Sequence, residues 1–502
     1  MKPYLYKKLA AYDEENIYPF HMPGHKRQLQ NDIKNPYKID ITEIDGFDNL
    51  NDPQDILRDS MKAASEFYGT KQTFYLVNGS TVGILSAISA VCHRGDKLLM
   101  TRNCHKAVYH AVRILDLEPV YLPLHYIEEK KMFGGVNEEK LEQLLKEHKD
   151  IKAVIVTSPT YEGIVINIKR IKMLINPHNI PLIVDEAHGA HFPFCDYFPK
   201  SAIKQGADIV IQSLHKTMPA FTQTALLHIC SNRILPHIVQ EWISMYQSSS
   251  PSYLLMAGIE YSIYYGVENK KEFKQYYERL VQYREKINQL RHISLLKKED
   301  IERYGGHDLD ISKLVLFFHS TKWTGNQISD ILLNQYKIQM EMSERDYILA
   351  ISTICDTKEG FEHLYDALYE LDQMIHLELD KNDCIHMKVR ANQRVEVNQI
   401  EIEKEEVRDD DIEVEKEEYR RKYRPYEASL KKSHYISLEQ CKNEVCGSYI
   451  YLYPPGNPIL VPGEVIEEEH IARILQYKKS GFYVKGIEEA GDSYHILVLE
   501  ED

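Results

Sequence analysis

Asp208-Ile-Val-Ile-Gln-Ser-Leu-His-Lys-Thr-Met-Pro-Ala-Phe-Thr-Gln-Thr-Ala-Leu-Leu-His228 sets Lys216 between two apolar runs, inside a polar loop. The first run, Asp208 to Ile211, is β-branched; the second, Ala225 to Ile229, is again apolar, so both read as short buried strands. An amine held at a strand end among Ser213, His215 and Thr217, away from open water, gives up its proton more readily and can form a Schiff base with an aldehyde. Upstream, Pro181-Leu-Ile-Val-Asp-Glu-Ala-His188 reads as another buried strand, which delivers Asp185 at its C-terminal end. A carboxylate there can hold the pyridine nitrogen of pyridoxal phosphate protonated, and so keep the ring an electron sink. A surface lysine after a strand is the plainer alternative for Lys216 alone, so its neighbours decide.

Working outward, apolar runs at Lys152 to Thr157, Leu182 to Asp185, Asp208 to Ile211 and Ala225 to Ile229 alternate with helix-like stretches from about residue 55. Continuous apolar strands separated by helices predict an α/β fold with a parallel or mixed sheet covered on both faces. Ligands of such sheets collect at the strand C-terminal ends. After Pro251 a long Tyr/Lys/Glu-rich helical stretch runs to about Leu290. Leu314 to Phe318, a helix near Asn326 to Gln335, Tyr347 to Ser352 and a helix near Glu359 to Ile375 then predict a smaller α/β domain. The segment from Glu401 to Arg424 is nearly all charge, acidic first and then Arg420-Arg-Lys-Tyr-Arg424, and reads as a solvated helix or a linker. Order returns with Tyr449-Ile-Tyr-Leu-Tyr-Pro-Pro-Gly456 and a β-rich tail. The expected division is an arm and large domain over 1–260, a small α/β domain over 261–380, and a C-terminal α+β domain over 381–502 that includes the charged segment 401–424.

The chain has 502 residues, 43% of them hydrophobic, enough for more than one domain. A net charge of -15 and a pI near 5.8 give no broad basic surface, so nucleic acid is not expected as a partner. The eight cysteines (Cys92, Cys104, Cys195, Cys230, Cys355, Cys384, Cys441, Cys446) are scattered with no C-x-x-C pair, which suits free thiols in a reducing cytoplasm. The N-terminus, Met-Lys-Pro-Tyr-Leu-Tyr-Lys-Lys, lacks the apolar stretch of a signal peptide. The most apolar long segment, Leu76 to Cys92, is broken by Asn78, Ser80 and Thr81, so no membrane span is expected.

Val77-Asn-Gly-Ser-Thr-Val-Gly83 leads into the apolar stretch Ile84 to Val91 and reads as a turn feeding a helix, with Ser80 or Thr81 near its cap. Exposed N–H groups and the positive end of the helix dipole converge on such a first turn, where a phosphate fits; many such turns are only caps. Thr101-Arg-Asn-Cys-His-Lys-Ala107 offers His105, a flat imidazole able to stack on a cofactor ring. Ser158-Pro-Thr-Tyr-Glu-Gly163 follows another predicted strand.

The order of phosphate turn, stacking histidine, strand-end aspartate and Schiff-base lysine resembles fold-type-I (aspartate aminotransferase-like) pyridoxal-phosphate enzymes. More specifically, Phe20-His-Met-Pro-Gly-His-Lys26, Asp40-Ile-Thr-Glu-Ile-Asp-Gly-Phe47, Val184-Asp-Glu-Ala-His-Gly-Ala-His191, Ser213-Leu-His-Lys216, Gln247-Ser-Ser-Ser-Pro-Ser-Tyr253 and Tyr453-Pro-Pro-Gly456 resemble the ornithine/lysine/arginine decarboxylase family over most of the chain. The resemblance implies Lys216 as the Schiff-base lysine, Asp185 at the pyridine nitrogen and His105 stacked on the ring. It implies Ser80, Thr81, Ser213 and His215 around the phosphate, His188 near the cofactor hydroxyl, and Ser249 reaching the phosphate of a partner subunit. A homodimer or larger homo-oligomer follows from the same resemblance. The chain begins close to the His-Met-Pro-Gly-His motif, so the receiver-like wing of the long family members is expected to be missing, which bears on ring assembly. Ile354-Cys-Asp-Thr357 carries Cys355 where glycine is expected.

The implied reaction is decarboxylation of a basic amino acid in polyamine metabolism, with arginine ahead of lysine and ornithine because the short architecture resembles bacterial arginine decarboxylases. His215 or Lys216 is the expected proton donor to the product carbon. A distal guanidinium or ammonium needs an acidic partner, for which Glu43, Asp45, Asp48 and Glu341 are candidates. The cofactor alone does not name the reaction: loss of a proton in place of CO₂ gives transamination or, in related sites, carbon–sulfur lyase chemistry. Two readings from other classes are a metal-dependent hydrolase using His21, His25, His188 and His191, and a non-catalytic relative; retention of Lys216 and Asp185 speaks against the second.

Overall fold

The computed structural model describes residues 8, 12, 14–28, 36–392, 419–452, 458–479, 481–491 and 493–500, with side chains left out at 378 and 380–392. Most of the charged segment (residues 401–418) and the Tyr453 to Gly456 motif lie outside the described residues. A seven-stranded sheet carries the first half of the chain. Its strands are β1 (Gln72–Leu76), β2 (Lys97–Thr101), β3 (Glu118–Leu122), β4 (Ile151–Thr157), β5 (Leu182–Asp185), β6 (Ile209–Gln212) and β7 (Ala225–Ile229). They lie in the order β1-β7-β6-β5-β4-β2-β3. Only β7 is antiparallel to its neighbours; every other pairing is parallel.

Alternation along each strand splits the apolar residues between two cores. Val154, Val156, Leu182, Val184 and Val210 enter one cluster, and Ile155, Ile183, Ile209 and Ile211 enter the cluster on the other face. Each of these side chains is almost fully buried, which contributes roughly 1.5–3 kcal/mol apiece. That two-sided burial is why the strands read as unbroken apolar runs. The register sets Thr157 and Ile211 on either side of Asp185, so the C-terminal ends of β4, β5 and β6 form one edge.

Helix α1 (Gly79–Val91) is apolar nearly all round and is correspondingly buried. Helix α2 (Lys106–Ile114) follows β2. The helical stretch after Pro251 is two helices, Tyr253–Glu268 and Lys270–Ile287, with Asn269 closing the first and opening the second. Asn269 uses its Nδ2 to bond the Tyr265 carbonyl, which satisfies the end of the first helix. The smaller unit is a four-stranded antiparallel sheet, in the order Ile293–Leu295, Lys313–Phe318, Tyr347–Ile351, Met342–Ser343. Tyr18–Phe20 runs parallel to Ile338–Met340, which ties the N-terminal arm to this unit. The helix expected to end near Ile375 runs from Lys358 to Asn392.

The C-terminal part has its own core around Cys446, Leu460, Ile474 and Ile496, with two three-stranded sheets. Seven cysteines among the described residues are free thiols. Among the described residues no helix is long and apolar enough to cross a membrane.

Candidate active site

Lys216 sits on a one-turn helix, Leu214–Thr217, directly after β6. Its Nζ is 2.9 Å from Nε2 of His188, which lies on the turn after β5. Burial pushes the Lys216 ammonium below its ordinary range and Lys313 pushes the same way, while Asp185 and Glu341 oppose. Burial, with Lys216 and Lys313 adding to it, holds the His188 imidazole well below the usual histidine range. His188 is therefore neutral; Nε2 accepts from Lys216, and Nδ1 carries the hydrogen. That Nδ1 is buried with no hydrogen-bond partner. The Tyr161 ring packs on His188 with centroids 4.7 Å apart.

Asp185 ends β5, 3% exposed, and its Oδ1 accepts from the Ala187 N–H at 3.1 Å. Burial raises its carboxyl above the ordinary range, against the pull of Lys216. Such a group gains by meeting a protonated ring nitrogen. The adjacent Glu186 has a structural part: it accepts from the Ala202 N–H (2.7 Å), Ser201 Oγ (2.6 Å) and Gln212 Nε2 (2.7 Å).

His105 is the N-cap of α2, and its Nδ1 accepts from the Ala107 N–H at 3.2 Å. Burial, with Lys216 next, pulls its pKa down to about 3, so it is a neutral flat ring with hydrogen on Nε2. His215 is held differently. Its Nδ1 lies 2.9 Å from the Thr224 carbonyl, which can only accept, so Nδ1 is the donor and Nε2 carries the lone pair. Burial brings its pKa down to about 4. As a neutral ring His215 offers an acceptor, and it must gain a proton before it can donate to a phosphate oxygen or to carbon.

The helix expected to have Ser80 or Thr81 near its cap starts at Gly79, directly before them. Asn78 is the N-cap, no side chain caps the helix, and Ser80 and Thr81 fall in its first turn. The Asn78 amide is engaged elsewhere, its Oδ1 accepting from the Ser248 N–H at 3.2 Å. Gly79 takes φ 74°, a backbone state that favours glycine, and the space where a Cβ would stand is open. An uncapped 13-residue helix with an open first turn fits an anion. Ser213 Oγ and Thr217 Oγ1 are also buried without partners. Ser249 is exposed on the loop beside Asn78. Orphaned hydroxyls, an orphaned imidazole N–H and an open helix turn, with one half-buried amine, fit a phosphorylated aldehyde cofactor.

Of the four candidate carboxylates, Glu341 alone reaches this cluster. Its Oε2 accepts from the Met22 N–H at 2.8 Å and its Oε1 from the Tyr161 hydroxyl. Asp48 instead caps its own loop: burial pushes it up, but the N–H groups of Gln54, Asp55, Asn49 and Leu57 outweigh that and bring its pKa to about 2. Glu43 lies beside Tyr253, and Asp45 is exposed. The four histidines of the metal reading go to other partners: His21 to the Met22 carbonyl, His25 to the Arg27 N–H, His188 to Lys216 and His191 to Asp310.

Sequence reasoning missed what holds the His21–Lys26 motif. Lys26, fully buried, donates to the carbonyls of Pro19 (3.1 Å), His21 (2.9 Å) and Ile351 (2.6 Å). Thr353 Oγ1 donates to the Gly24 carbonyl (2.6 Å), and the Gly24 N–H donates to the His215 carbonyl (2.7 Å). A Cβ on Gly24 would stand 2.6 Å from the Met218 carbonyl oxygen, so the motif lies directly against the Lys216 loop. Lys26→Met would strand three carbonyls and Asp356, and we expect a loss of about 3–5 kcal/mol in denaturant unfolding. An unchanged midpoint would contradict this. A second buried network joins Asp310 to Lys313 (2.9 Å) and His191 (3.3 Å). Each network joins local partners to one far along the chain, Ile351 for Lys26 and His191 for Asp310, and that distant partner is what sequence does not show.

The Glu186 carboxyl has a measurable pH signature. Burial raises its pKa from 4.5 to about 7, hydrogen bonds opposing and Asp185 adding to it. A raised folded pKa means the native state holds the proton more tightly. The stabilisation is therefore complete below about pH 4.5 and is lost as pH rises through about 7, an effect of about 3 kcal/mol. Glu186→Gln should flatten stability against pH between about 5 and 8 relative to wild type; parallel curves for the two proteins would refute it.

The family profile for "Orn/Lys/Arg decarboxylase, major domain" matches residues 3–338, and that for the C-terminal domain matches residues 415–482. The chain belongs to the Orn/Lys/Arg decarboxylase family. It is an amino-acid decarboxylase. An arginine decarboxylase of Bacillus subtilis is 29% identical to it over 505 residues, covering 99% of this chain and 98% of that one. Among solved structures, the Francisella novicida lysine decarboxylase LdcF aligns with a TM-score of 0.75 at 19% identity, covering 93% of this chain and 75% of that one. A structure titled "SPT with PLP" aligns at 0.55 and 14% identity over 72% of this chain and 88% of that one. Both structural likenesses bear on the mixed α/β fold of the decarboxylase.

Proposed function

We propose that the decarboxylase is a fold-type-I pyridoxal-phosphate enzyme that converts arginine to agmatine and CO₂. The observation that carries this reading is the Lys216 amine, half-buried and 2.9 Å from a neutral, buried His188, at the same sheet edge as buried Asp185. When bound, pyridoxal phosphate supplies an aldehyde for that amine and a ring that takes up the electron pair released as CO₂ leaves. The chain's own residues supply the rest. Asp185 holds a proton at the ring nitrogen, His105 covers the ring, and the hydroxyls of Ser80, Thr81, Ser213 and Thr217 with the first-turn N–H groups of α1 bind the phosphate. Burial eases the loss of the Lys216 proton, and His188 Nε2 holds the resulting amine in place as a hydrogen-bond acceptor. Lys216 returns a proton to the product carbon, with His215 as the alternative donor once its Nε2 has gained a proton.

Arginine is favoured over lysine by the end-to-end likeness to an arginine decarboxylase and by Glu341. That carboxylate is fixed by Tyr161 and the Met22 N–H, and it lies close enough to Lys216 to hold up the pKa of its ammonium. A fixed carboxylate suits the two parallel N–H donors of a guanidinium. The exposed Ser249, with exposed Phe47 and Phe221, supports a homodimer that completes the site.

The experiment is incubation of protein and pyridoxal phosphate with arginine, lysine and ornithine separately, with amine and CO₂ identified by mass spectrometry. Agmatine from arginine at the highest kcat/KM is expected. Cadaverine or putrescine as the preferred product would move the substrate, and keto acid without CO₂ would overturn the reaction.

A further inference from the structure

Three residues before His105, at the C-terminal end of β2, Arg102 meets the C-terminal part of the chain. Its guanidinium, 5% exposed, makes a bidentate pair with Glu464: Nη1 to Oε1 at 2.7 Å and Nη2 to Oε2 at 2.8 Å. Tyr419 and Tyr121 cover it, with ring centroids 4.0 and 4.8 Å from the guanidinium carbon. The Arg102 carbonyl accepts from the Tyr109 hydroxyl at 2.6 Å, which folds the short loop back onto α2, the helix that His105 caps.

Glu464 is equally constrained from its own side. It is 1% exposed, and its Oε2 also accepts from the Val461 N–H at 2.8 Å. The backbone of Glu464 is bonded too, its carbonyl accepting from the Cys446 N–H. Without Arg102 this carboxylate would be an uncompensated buried charge, so docking of the C-terminal part calls for the guanidinium in one place. Asn103, the next residue, has its Oδ1 buried without a partner. A domain contact alone would be served as well by apolar side chains, whereas a bidentate pair fixes register.

We propose that Arg102 and Glu464 are positioning residues for His105, coupling the seating of the C-terminal domain to the pose of the ring that covers the cofactor. This rests on the reading of His105 given above. The two can be tested apart in the holoenzyme by the visible circular dichroism of bound pyridoxal phosphate, thermal midpoints and steady-state kinetics. His105→Ala sets the reference, and it must alter the visible band; an unaltered band sinks the His105 reading and the proposal with it. Given that change, Arg102→Met and Glu464→Met should each lower the thermal midpoint by stranding a charge. The Arg102→Met/Glu464→Met double variant should regain most of that loss. Its visible band should nevertheless stay shifted toward that of His105→Ala, with kcat down about ten- to hundredfold and KM within about twofold of wild type. A double variant that regains midpoint, band and kcat together overturns the proposal and leaves the pair a structural tie only. Glu464→Gln, which keeps the side-chain shape, covers the case in which the methionine variants do not fold. A shifted band there supports the coupling, and a wild-type band refutes it.

Discussion

Lys216→Ala is expected to lose turnover of arginine by a factor on the order of 10⁴ or more, while the protein keeps its fold. The amine is both the nucleophile toward the aldehyde and the proton source for the product carbon, and it is the lysine that meets His188. Lys313 is buried near it but is committed to Asp310 at 2.9 Å. Lys26 is likewise committed, to three carbonyls. Removing the Lys216 ammonium also relieves a charge that depresses the His188 and His105 imidazoles, so no stability loss comparable to that of Lys26→Met is expected. Full-rate agmatine production by the variant, measured by mass spectrometry, would end the assignment.

Glu341→Gln should raise KM for arginine and lower kcat/KM by about 10- to 100-fold, the cost of one charge-assisted contact of about 1.5–3 kcal/mol. Gln still offers one oxygen to the Met22 N–H or the Tyr161 hydroxyl, so much of the local geometry persists. The loss should be smaller for lysine, because a single ammonium makes no parallel pair of hydrogen bonds. Steady-state kinetics on both substrates checks this. Equal losses would assign Glu341 to holding Tyr161 and the His21–Lys26 motif, and an unchanged KM would remove it from the substrate pocket.

The legible parts of this fold are those set by local pattern. Leu182–Asp185 and Ala225–Ile229 appear as predicted because both are buried on two faces and bounded by polar residues. The strand-end position of Asp185 and the polar loop around Lys216 follow from the same pattern, since side chains at that edge leave the core for the site. Asn269 was not legible as a helix break, because a single asparagine lowers helix propensity only slightly and its capping bond to Tyr265 depends on the chain's turn. Ser80 and Thr81 do lie near the cap, in the first turn, but which residue is the cap itself, Asn78, is a boundary that composition leaves open.

Long-range pairing hid the rest. Glu341 could not be separated from Glu43, Asp45 and Asp48 by sequence, because its place depends on Tyr18–Phe20 pairing with Ile338–Met340. Arg102 and Glu464 are 362 positions apart, and nothing in the Thr101–Ala107 stretch that contains Arg102 points to Glu464. Thr217, quoted only as a loop neighbour of Lys216, gains weight from its buried unpartnered hydroxyl.

The most direct measurement is borohydride reduction of the decarboxylase with pyridoxal phosphate, followed by digestion and peptide mapping by mass spectrometry. A pyridoxyl group on Lys216, absent from Lys216→Ala, is the predicted result. The label on Lys26, Lys313 or another lysine, or no label at all, would contradict it.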